Sequence, residues 1–535
     1  MTSRAFWTLS VLVVAPAARA ADLEVTAIQA VHRHGQTFVT WKDVAEGEEG
    51  SKFRYSLYRS EQPITADNLD KAELCYHGVL NNSAKLFGYA FNMKDRLDPA
   101  KSYAIIEEGG KPLPAWSGLA VHTIRPLTLP SPARGEGKVG GKAYYAIVAT
   151  DEKLNPVSEV VPGKSATTDS VEEKPGPIQP IKLYDSKERK TYVAQTSITG
   201  QKGLPLSVSL HGSQGTGGPA GDWGDYYLYF GTPAMGHRDG LPGVFTVQEN
   251  RSKNGNNLLL WPRDAIEHPN GRGAFETMWL GYYCIPQGAK HSEPRVYPFT
   301  ENRLMWMIDW SIKRYGADAE RVSMGGSSMG GLGSVNVGFR HPELFAAVYP
   351  STTPFLWWPP SSLHGNQGRD TKALMADGKK SYADHTNSPK FAAEHHEDMP
   401  FLGWAVGRRD GNHNWQEYID MVKALTANHH GFTFSWNDGG HSEGGRAMGP
   451  ITKYYPAAKF ARNRCYPAFG NSSIDHNMGN GSKEDGDREG GINLGFDWKD
   501  LVDEEGKWSV ALSNDLAKED MTRSEERRVG KECRL

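Results

Sequence analysis

The sequence predicts an α/β domain, built on a mostly parallel sheet with helices on both faces, preceded by an all-β sandwich domain. Beyond residue 180, short apolar strands such as "LPLSVSLHG" and "FLGWAVG" alternate with helix-length segments. Alternation of this kind, with glycine-rich strand ends, is typical of a parallel sheet buried on both faces. Before residue 167, apolar and polar residues alternate with a period of two, which predicts half-buried antiparallel strands.

Length and composition set the outer limits. A chain of 535 residues predicts two or three domains, and 38% hydrophobic with 23% charged residues fits a soluble globular protein. The formal net charge of -3 argues against nucleic acid as an obligatory partner. Oligomeric state is not predicted by any of these features.

The first twenty residues, "MTSRAFWTLSVLVVAPAARA", have one arginine, an apolar run and a final Ala-Arg-Ala. This is the build of a secretory signal peptide, so residues 1–20 are expected to direct the protein to a secreted or periplasmic location. No later run reaches the ~18 apolar residues of a membrane helix, so membrane insertion is not expected.

The four cysteines predict no metal or redox cofactor, because none of them stands in a CxxC spacing. Export makes disulfides possible. Cys284 and Cys465 fall in one predicted domain and could pair, and buried free thiols are the alternative.

Residues 21–166 are interpreted as the β-sandwich domain. "KFRYSLYRS" alternates apolar and polar residues, and "KAYYAIVATDEKLNPVSEVV" predicts a strand, a turn and another strand. This last stretch resembles the closing hairpin of a fibronectin type III domain. The Pro/Gly/Arg-rich stretch 125–138 lacks a strand pattern and is interpreted as an exposed insertion.

One motif in this domain admits a second interpretation. "RHGQT", beginning at Arg33, resembles the strand-end motif of histidine phosphatases, in which the histidine is the nucleophile. Here it lies between two β-runs in a small, strand-rich module, where His34 and Gly35 are expected to form a hairpin turn. We therefore predict that His34 is a turn residue.

The remaining boundaries follow from composition. Residues 167–180 are polar and proline-bearing and are expected to be a linker, and residues 181–470 form the predicted catalytic domain, which includes a helix over residues 300–315. Residues 471–535 are expected to be a flexible segment followed by a truncated β-rich module. Their end, "RSEERRVGKEC", resembles an in-frame translation of a sequencing adapter.

"RVSMGGSSMGGLGSV" contains a candidate nucleophile. Only Ser328 has glycines at both -2 and +2, namely Gly326 and Gly330, in the pattern G-x-S-x-G. Small neighbours allow a strained strand-to-helix turn, and the following helix N-terminus favours developing negative charge. An ordinary glycine-rich turn is the alternative.

Candidate oxyanion donors lie on two segments. "LPLSVSLHGSQGTGG" predicts a strand that runs into Gly212 and Ser213, whose loop could offer a backbone N–H. Met329, directly after the nucleophile, would offer the second N–H. Losing one such donor typically costs about 3–4 kcal/mol of transition-state stabilisation. An ordinary strand-end turn is the alternative for this loop.

The candidate acid is Asp410, at the end of the predicted strand "FLGWAVG". A carboxylate there can accept from a histidine ring and stabilise the imidazolium. Asp420 and Asp438 are the rivals. Asp420 lies on the polar side of a helix, and Asp438 is close in sequence to the candidate histidine.

The candidate base is His441, on the glycine-rich loop after "GFTFSWN". The other histidines nearby are interpreted as surface or pocket residues: His413, His429 and His430. The order Ser, Asp, His along the chain matches that of α/β-hydrolases and differs from the two protease orders.

From about residue 180 to 470 the chain resembles secreted α/β-hydrolases of the esterase D, feruloyl esterase and polyester-depolymerase-like group. The shared stretches are "LHG", "GGSSMGG", "HPELFAAVYP", "VGRRD" and "DGGH". The resemblance implies a metal-free, cofactor-free carboxylic ester hydrolase that uses Ser328, His441 and Asp410 on an ester of a polysaccharide, a polyester or a small acyl group.

The chain departs from this group in the longer stretch that contains "DWGDYYLYFGTPAMGHRDGLPG" and in "FLWWPPSS". Trp357 and Trp358, together with Trp415, are the candidate substrate-binding residues, and lid or core aromatics are the alternative for the first two. Two other functions stay open: a secreted serine peptidase or amidase, and a non-catalytic carbohydrate- or surface-binding protein.

Overall fold

The computed structural model forms two compact units, residues 1–85 with 113–178 and residues 86–112 with 179–535. The structure describes the following residues: 23–85, 103–124, 140–184, 198–213, 225–230, 242–252, 255–264, 266–267, 274–284, 293–356, 361–362, 372–517 and 525–529. The predicted signal peptide and the predicted insertion at 125–138 lie outside the described residues.

Among its described residues, the first unit contains seven strands, one short α-helix and a 3-10 helix at Ala66–Lys71. They are β1 (Thr26–Arg33), β2 (Gln36–Lys42), α1 (Gly47–Gly50), β3 (Arg54–Ser60), β4 (Glu73–Leu80), β5 (Ser117–Thr123), β6 (Gly141–Thr150) and β7 (Val171–Glu173).

These strands form two antiparallel sheets, one in the order β1-β2-β5 and the other in the order β4-β3-β6-β7. One apolar core draws on both sheets, including Trp41 from β2, Tyr55 and Leu57 from β3, and Tyr145 from β6. The sheets therefore pack face to face, and alternate residues of each strand supply the core.

The β1–β2 hairpin confirms the prediction for His34. Arg33 pairs with Gln36, and the two residues between them, His34 and Gly35, have φ angles of 46° and 75°. Two consecutive positive φ angles are typical of a type I′ turn. A Cβ on Gly35 would lie 2.8 Å from the backbone nitrogen of Gly176, so this position also requires a glycine.

The stretch 167–180, expected to be a linker, contains strand β7, which pairs with β6. The last residue of β7, Glu173, is buried. Its carboxylate accepts hydrogen bonds from Arg59 Nε at 2.9 Å, from Thr37 Oγ1 at 2.9 Å and from the Tyr145 hydroxyl. Burial raises the pKa of Glu173, but the hydrogen bonds from Arg59 and Tyr145 outweigh it and leave the pKa below its usual range. The polar composition of residues 167–180 does not predict strand β7, because a single buried carboxylate, that of Glu173, holds the strand in place.

The second unit contains the remaining strands: β8 (Ile181–Tyr184), β9 (Pro205–Leu210), β10 (Asp225–Phe230), β11 (Pro242–Ser252), β12 (Gly255–Pro262), β13 (Ile266–Glu267), β14 (Ala274–Phe275), β15 (Tyr282–Cys284), β16 (Arg295–Tyr297), β17 (Asp318–Ser327), β18 (Ala347–Ser351), β19 (Ser361–Ser362), β20 (Phe401–Gly407), β21 (Phe432–Asn437), β22 (Tyr466–Gly470), β23 (Gly490–Ile492), β24 (Phe496–Glu504), β25 (Lys507–Asn514) and β26 (Glu525–Val529).

Its α-helices are α2 (Phe299–Tyr315), α3 (Met329–Arg340), α4 (Tyr382–His385), α5 (Ser388–Glu394), α6 (Trp415–Ala427), α7 (His441–Gly444) and α8 (Met448–Tyr454), with 3-10 turns at Gly445–Ala447 and Ala457–Lys459. Helix α2 confirms the helix predicted over 300–315, and it ends at Gly316, whose φ of 65° is the left-handed geometry of a helix C-terminus.

A ten-stranded mixed sheet organises this unit, in the order β23-β21-β20-β18-β17-β9-β12-β11-β10-β8. The six strands from β21 to β12 run parallel, and β23, β11, β10 and β8 run antiparallel to their neighbours. Helix α3 packs on β9, β17 and β18, and α8 packs on β20 and β21. The parallel strands therefore bring their carboxyl ends to one edge of the sheet.

Residues 471–517, expected to be flexible or part of a separate module, pack onto this unit. Strand β23 joins the main sheet beside β21, and the β24–β25 hairpin buries Phe496 and Trp498 against Tyr455, Phe460 and Phe469. Strand β26 lies in the adapter-like stretch and pairs with β22. Aromatic burial explains the attachment, which the charged composition does not predict.

The cysteines differ from the expected pairing. Cys284 is a free, buried thiol whose pKa burial raises to about 12, whereas Cys465 is disulfide-bonded. The suggested Cys284–Cys465 disulfide is therefore wrong, and the alternative of a buried free thiol holds for Cys284. Among the described residues, no helix is long and apolar enough to cross a membrane, and no His/Cys/Asp/Glu cluster could hold a metal ion.

We predict that Glu173→Ala lowers the opening free energy of strands β6 and β7 by about 3–5 kcal/mol, because it leaves Arg59 without its buried partner. Glu172→Ala, at the exposed neighbouring position, should change it by less than about 0.5 kcal/mol. Native-state hydrogen exchange of the full chain measures both.

The Glu173 effect should weaken in acid. A carboxyl with a lowered folded-state pKa stabilises the fold at neutral pH, and this contribution is lost as the pH falls through that pKa. Equal effects of the two variants at pH 7 would show that the buried ion pair does not anchor β7.

Candidate active site

Ser328 stands between β17 and α3 in a strained backbone conformation, with φ 57° and ψ -122°. A Cβ on Gly326 would lie 2.5 Å from the carbonyl carbon of Gly330 and 2.6 Å from Leu210 O, and a Cβ on Gly330 would overlap Leu210 O. Both glycines of the motif are thus required by close backbone approach. The turn has the geometry of a nucleophile elbow.

The neighbouring serine is held differently. Ser327 is exposed, and its hydroxyl lies 2.8 Å from Thr352 Oγ1, beyond the end of β18. Ser328 instead is the N-cap residue of α3, where its carbonyl accepts from Leu332 N at 3.0 Å and its own N–H donates to Ser351 O at 2.9 Å. Ser328 therefore sits over the helix N-terminus, where free N–H groups favour negative charge.

The loop after β9 lies against this serine. A Cβ on Gly212 would be 3.2 Å from Ser327 O and 3.6 Å from Ser328 Cβ, so the loop backbone runs directly beside the nucleophile turn. Ser213 follows, exposed, with its hydroxyl donating to Glu276 Oε2 at 2.6 Å. Met329 is the first residue of α3, and its N–H is among those without an acceptor in the helix. The candidate oxyanion donors thus border one serine.

His211 holds this loop in place. Its Nε2 accepts from Asp264 N at 2.9 Å, which leaves the proton on Nδ1, and Nδ1 donates to Gly212 O at 2.9 Å. Burial lowers the pKa of His211, so the neutral ring is favoured. Trp279 Nε1 donates to His211 O at 3.1 Å. The histidine of "LHG" is therefore a structural residue behind the loop.

Asp264 organises the segment behind His211. Its fully buried carboxylate accepts from Thr277 N at 3.0 Å, Thr277 Oγ1 at 2.6 Å and Trp279 N at 2.8 Å. Met278 and Trp279 have φ angles of 57° and 62°, which side-chain-bearing residues rarely adopt. The carboxylate holds these two residues, and Trp279 in turn packs on His211 with ring centroids 4.8 Å apart.

Asp410 and His441, the candidate acid and base, are joined by a hydrogen bond. Asp410 follows β20, its side chain is 0% exposed, and its Oδ2 accepts from His441 Nδ1 at 2.5 Å. Its Oδ1 accepts from Asn412 N at 2.9 Å. His441 begins α7 with 36% of its side chain exposed, so Nε2 is the nitrogen available for proton exchange.

Strand order brings the serine and this pair to one edge. Ser327 pairs with Ser351, and Ser351 pairs with Ala405, across three neighbouring parallel strands. A Cβ on Gly444, at the end of the short helix that His441 begins, would lie 2.9 Å from both Thr352 Cγ2 and Gly407 Cα. Helix α7 therefore sits on the ends of β18 and β20, beside the nucleophile strand.

The rival acids are engaged elsewhere. Asp438 accepts from Arg409 Nε at 2.9 Å and from Arg409 Nη2 at 2.5 Å, and Asp420 is an exposed residue that accepts from Gln416 Nε2 at 2.7 Å. Of the three acids considered, Asp410 is the one that the structure brings to His441.

Of the three predicted substrate-binding tryptophans, Trp415 lies in a different place from the one expected. Trp415 is completely buried, its Nε1 donates to Met478 O at 2.7 Å, and it packs among Tyr418, Phe434 and Trp436. It is therefore a core residue, because the first turn of α6 points it into the sheet. Trp357 and Trp358 lie outside the described residues.

Sequence reasoning missed a support for Asp410. Arg408 donates to the backbone carbonyls of Lys483 at 2.7 Å and Asp487 at 2.8 Å, and stacks over Trp415 at 4.4 Å. Lys483 Nζ donates in turn to the backbone carbonyl of Asp410. The stretch that contains Lys483, expected to be flexible, thus packs against the candidate acid, Asp410. Only the paired arginines of "VGRRD" hinted at it.

The other histidines near His441 in the sequence lie in different places in the structure. His429 Nδ1 lies 3.1 Å from Thr426 O, and His430 Nε2 lies 3.0 Å from His395 O, both just after the end of α6. His413 is buried beside Asp410, at 3.5 Å from its Oδ2. His413 is therefore not a surface residue, because the turn after β20 folds it inward.

No protein-family model and no curated protein sequence matches the chain. Similar solved structures include a ferulic acid esterase, with 18% identity over 45% of this chain and 79% of that chain and a TM-score of 0.27. An S-formylglutathione hydrolase from Agrobacterium tumefaciens has 12% identity over 45% of this chain and 78% of that chain, with a TM-score of 0.29. Another is FphF, a fluorophosphonate-binding serine hydrolase of Staphylococcus aureus, with 15% identity over 48% of this chain and 82% of that chain and a TM-score of 0.26. These three structures are those of serine hydrolases and esterases.

We predict that Asp410→Asn lowers the rate of reaction with a fluorophosphonate probe by about 10³–10⁴-fold, because an amide cannot stabilise the imidazolium of His441. Asp438→Asn, which weakens only the exposed pairs with Arg409 and Arg488, should react within about twofold of the wild type. Labelling rates of the folded proteins test both, and a larger loss at Asp438 would reassign the acid.

Proposed function

We propose that the protein is a secreted serine hydrolase that cleaves carboxylic esters through an acyl-serine intermediate. The observation that carries the proposal is Ser328 on a strained elbow, with the Gly212 loop against it and the Asp410–His441 pair at the ends of neighbouring strands. This combination of nucleophile, oxyanion donors and oriented base is what acyl transfer requires.

In the proposed reaction, Ser328 Oγ attacks the ester carbonyl while its proton moves to His441 Nε2. Asp410 stabilises the resulting imidazolium through the 2.5 Å hydrogen bond to Nδ1. The backbone N–H groups of Met329 and of the Gly212–Ser213 loop stabilise the oxyanion. His441 then protonates the leaving alcohol, and water releases the acyl group by the same steps in reverse.

The choice of an ester rests on the resemblance of the site stretches to esterases, and the choice of substrate class stays broad. An ester of a polysaccharide, a polyester or a small acyl group would serve, because pocket loops decide among these and the elbow does not. Trp357 and Trp358 remain proposed substrate-binding residues. No cofactor is proposed.

Secretion is part of the proposal because of residues 1–20, which have the three-part build of a signal peptide. A secreted or periplasmic esterase would meet polymeric substrates that do not enter cells. Antibody detection of the full chain in cell fractions of a bacterial host tests this part independently of activity.

We predict that Ser328→Ala abolishes hydrolysis of p-nitrophenyl acetate and butyrate, with a loss of at least about 10³-fold in kcat, because the acyl-enzyme cannot form. Ser327→Ala, which removes the exposed neighbouring hydroxyl bonded to Thr352, should keep its reaction with a fluorophosphonate probe. Mass spectrometry of the labelled wild type should place the adduct on Ser328.

The same assay separates the alternatives. Higher kcat/KM for an aminoacyl anilide than for the matched ester would favour a peptidase or amidase. A folded wild type that neither turns over esters nor reacts with the probe, yet binds insoluble polysaccharide, would favour a non-catalytic binding protein and overturn the proposal.

A further inference from the structure

A second buried imidazole faces the carboxylate that orients the proposed base. The side chain of His413 is 0% exposed, and its Nε2 lies 3.5 Å from Oδ2 of Asp410. The same oxygen accepts from His441 Nδ1 at 2.5 Å. One carboxylate oxygen is therefore approached by two histidines, of which the proposed mechanism uses only one.

Packing alone does not account for a histidine at this position. Its ring contacts Tyr418 edge-on, with centroids 4.8 Å apart, and phenylalanine would make the same contact. Within the described part of the chain, neither ring nitrogen of His413 makes a hydrogen bond that meets normal geometry. The backbone of Gly407 and the carboxylate of Asp410 both act on the ring, yet neither meets a ring nitrogen with normal geometry. A buried polar ring in that state is unfavourable, so its position beside Asp410 calls for a different explanation.

Titratable groups from several segments act on this ring. Asp410 and His441 face it from the sheet edge, and Lys483 approaches from the loop after β22. Helix α6 contributes Tyr418 and the buried carboxyl of Glu417, whose pKa burial raises to about 7. Burial lowers the pKa of His413 to about 4, with Asp410 opposing and Lys483 reinforcing the shift. The ring is thus neutral at neutral pH and titrates in mild acid.

Resting on the function proposed above, we propose that His413 is a positioning residue that holds the Asp410 carboxylate in place for His441 while neutral, and competes with His441 for it once protonated. In the neutral state, the N–H of His413 Nε2 points towards Asp410 Oδ2. The ring then carries no positive charge that would attract the carboxylate away from His441. Uptake of one proton from solvent makes the ring a cation beside Oδ2. The charged ring then weakens the hydrogen bond between Asp410 and His441.

The first test is the pH dependence of kcat/KM for p-nitrophenyl butyrate. Below about pH 5 the wild type should lose activity with a log–log slope above one, because proton uptake by His413 adds to the one-proton loss that any general base shows in acid. His413→Phe keeps the contact with Tyr418 but has no ring nitrogen. It should show a slope of one and a kcat about 3- to 10-fold lower at the optimum, with KM unchanged.

His413→Gln supplies the conservative variant. Its amide can donate to Asp410 but does not titrate, so kcat at the optimum should return to within about twofold of the wild type while the acid slope stays at one. His396→Phe, at an exposed histidine, is the matched control and should reproduce the wild-type profile. Thermal melts of all four proteins at pH 7 establish that they fold.

A second readout does not depend on turnover. The downfield N–H proton of His441 Nδ1, assigned by its loss in His441→Gln, is followed by proton NMR of the full chain from pH 7 to pH 4. In the wild type it should shift or broaden as His413 titrates, and in His413→Phe this change should be absent.

The outcomes separate the two proposals. An inactive wild type whose N–H signal still responds to His413 would overturn the esterase proposal and leave the positioning role intact. Suppose instead that the wild type is active and that its acid slope and N–H signal do not differ from those of His413→Phe and His413→Gln. This result would overturn the positioning role and leave the esterase proposal intact.

Discussion

The nucleophile turn depends on one close contact between two backbones. Leu210 O, at the end of β9, lies where a side chain on Gly330 would have to be, and it is 2.6 Å from the Cβ position of Gly326. This contact lets α3 start directly beneath Ser328 and brings Gly212 against the serine. The strain at Ser328 and the position of the oxyanion loop are therefore two consequences of the same packing.

Three buried carboxylates organise the rest. Glu173 holds the last strand of the β-sandwich, Asp264 holds the strained residues behind the oxyanion loop, and Asp410 holds the proposed base. Burying an ionised carboxylate is unfavourable unless several donors meet it, so each of these groups dictates the positions of its donors. Glu417 accepts from the N–H groups of Phe355 and Leu356, but its other oxygen lacks a partner among the described residues, in keeping with its raised pKa.

Much of the candidate site could be predicted, since its signals are local. The glycines around Ser328 follow from the sterics of a tight turn, and the His34–Gly35 hairpin follows from the two strands that flank it. The site's supports could not be predicted in this way. Lys483 is 73 residues from Asp410 in sequence, and Arg408 binds backbone carbonyls, which carry no side-chain signature.

The sequence by itself determined the alternation of strands and helices, the elbow and the order of the three candidate catalytic residues, because periodicity and glycine placement act over a few residues. The tertiary structure decided which acid faces His441, buried Trp415 in the core, set His413 beside Asp410 and added β23 to the main sheet. These outcomes depend on segments distant in sequence that compete for the same buried space. Only the folded chain shows which segment occupies it.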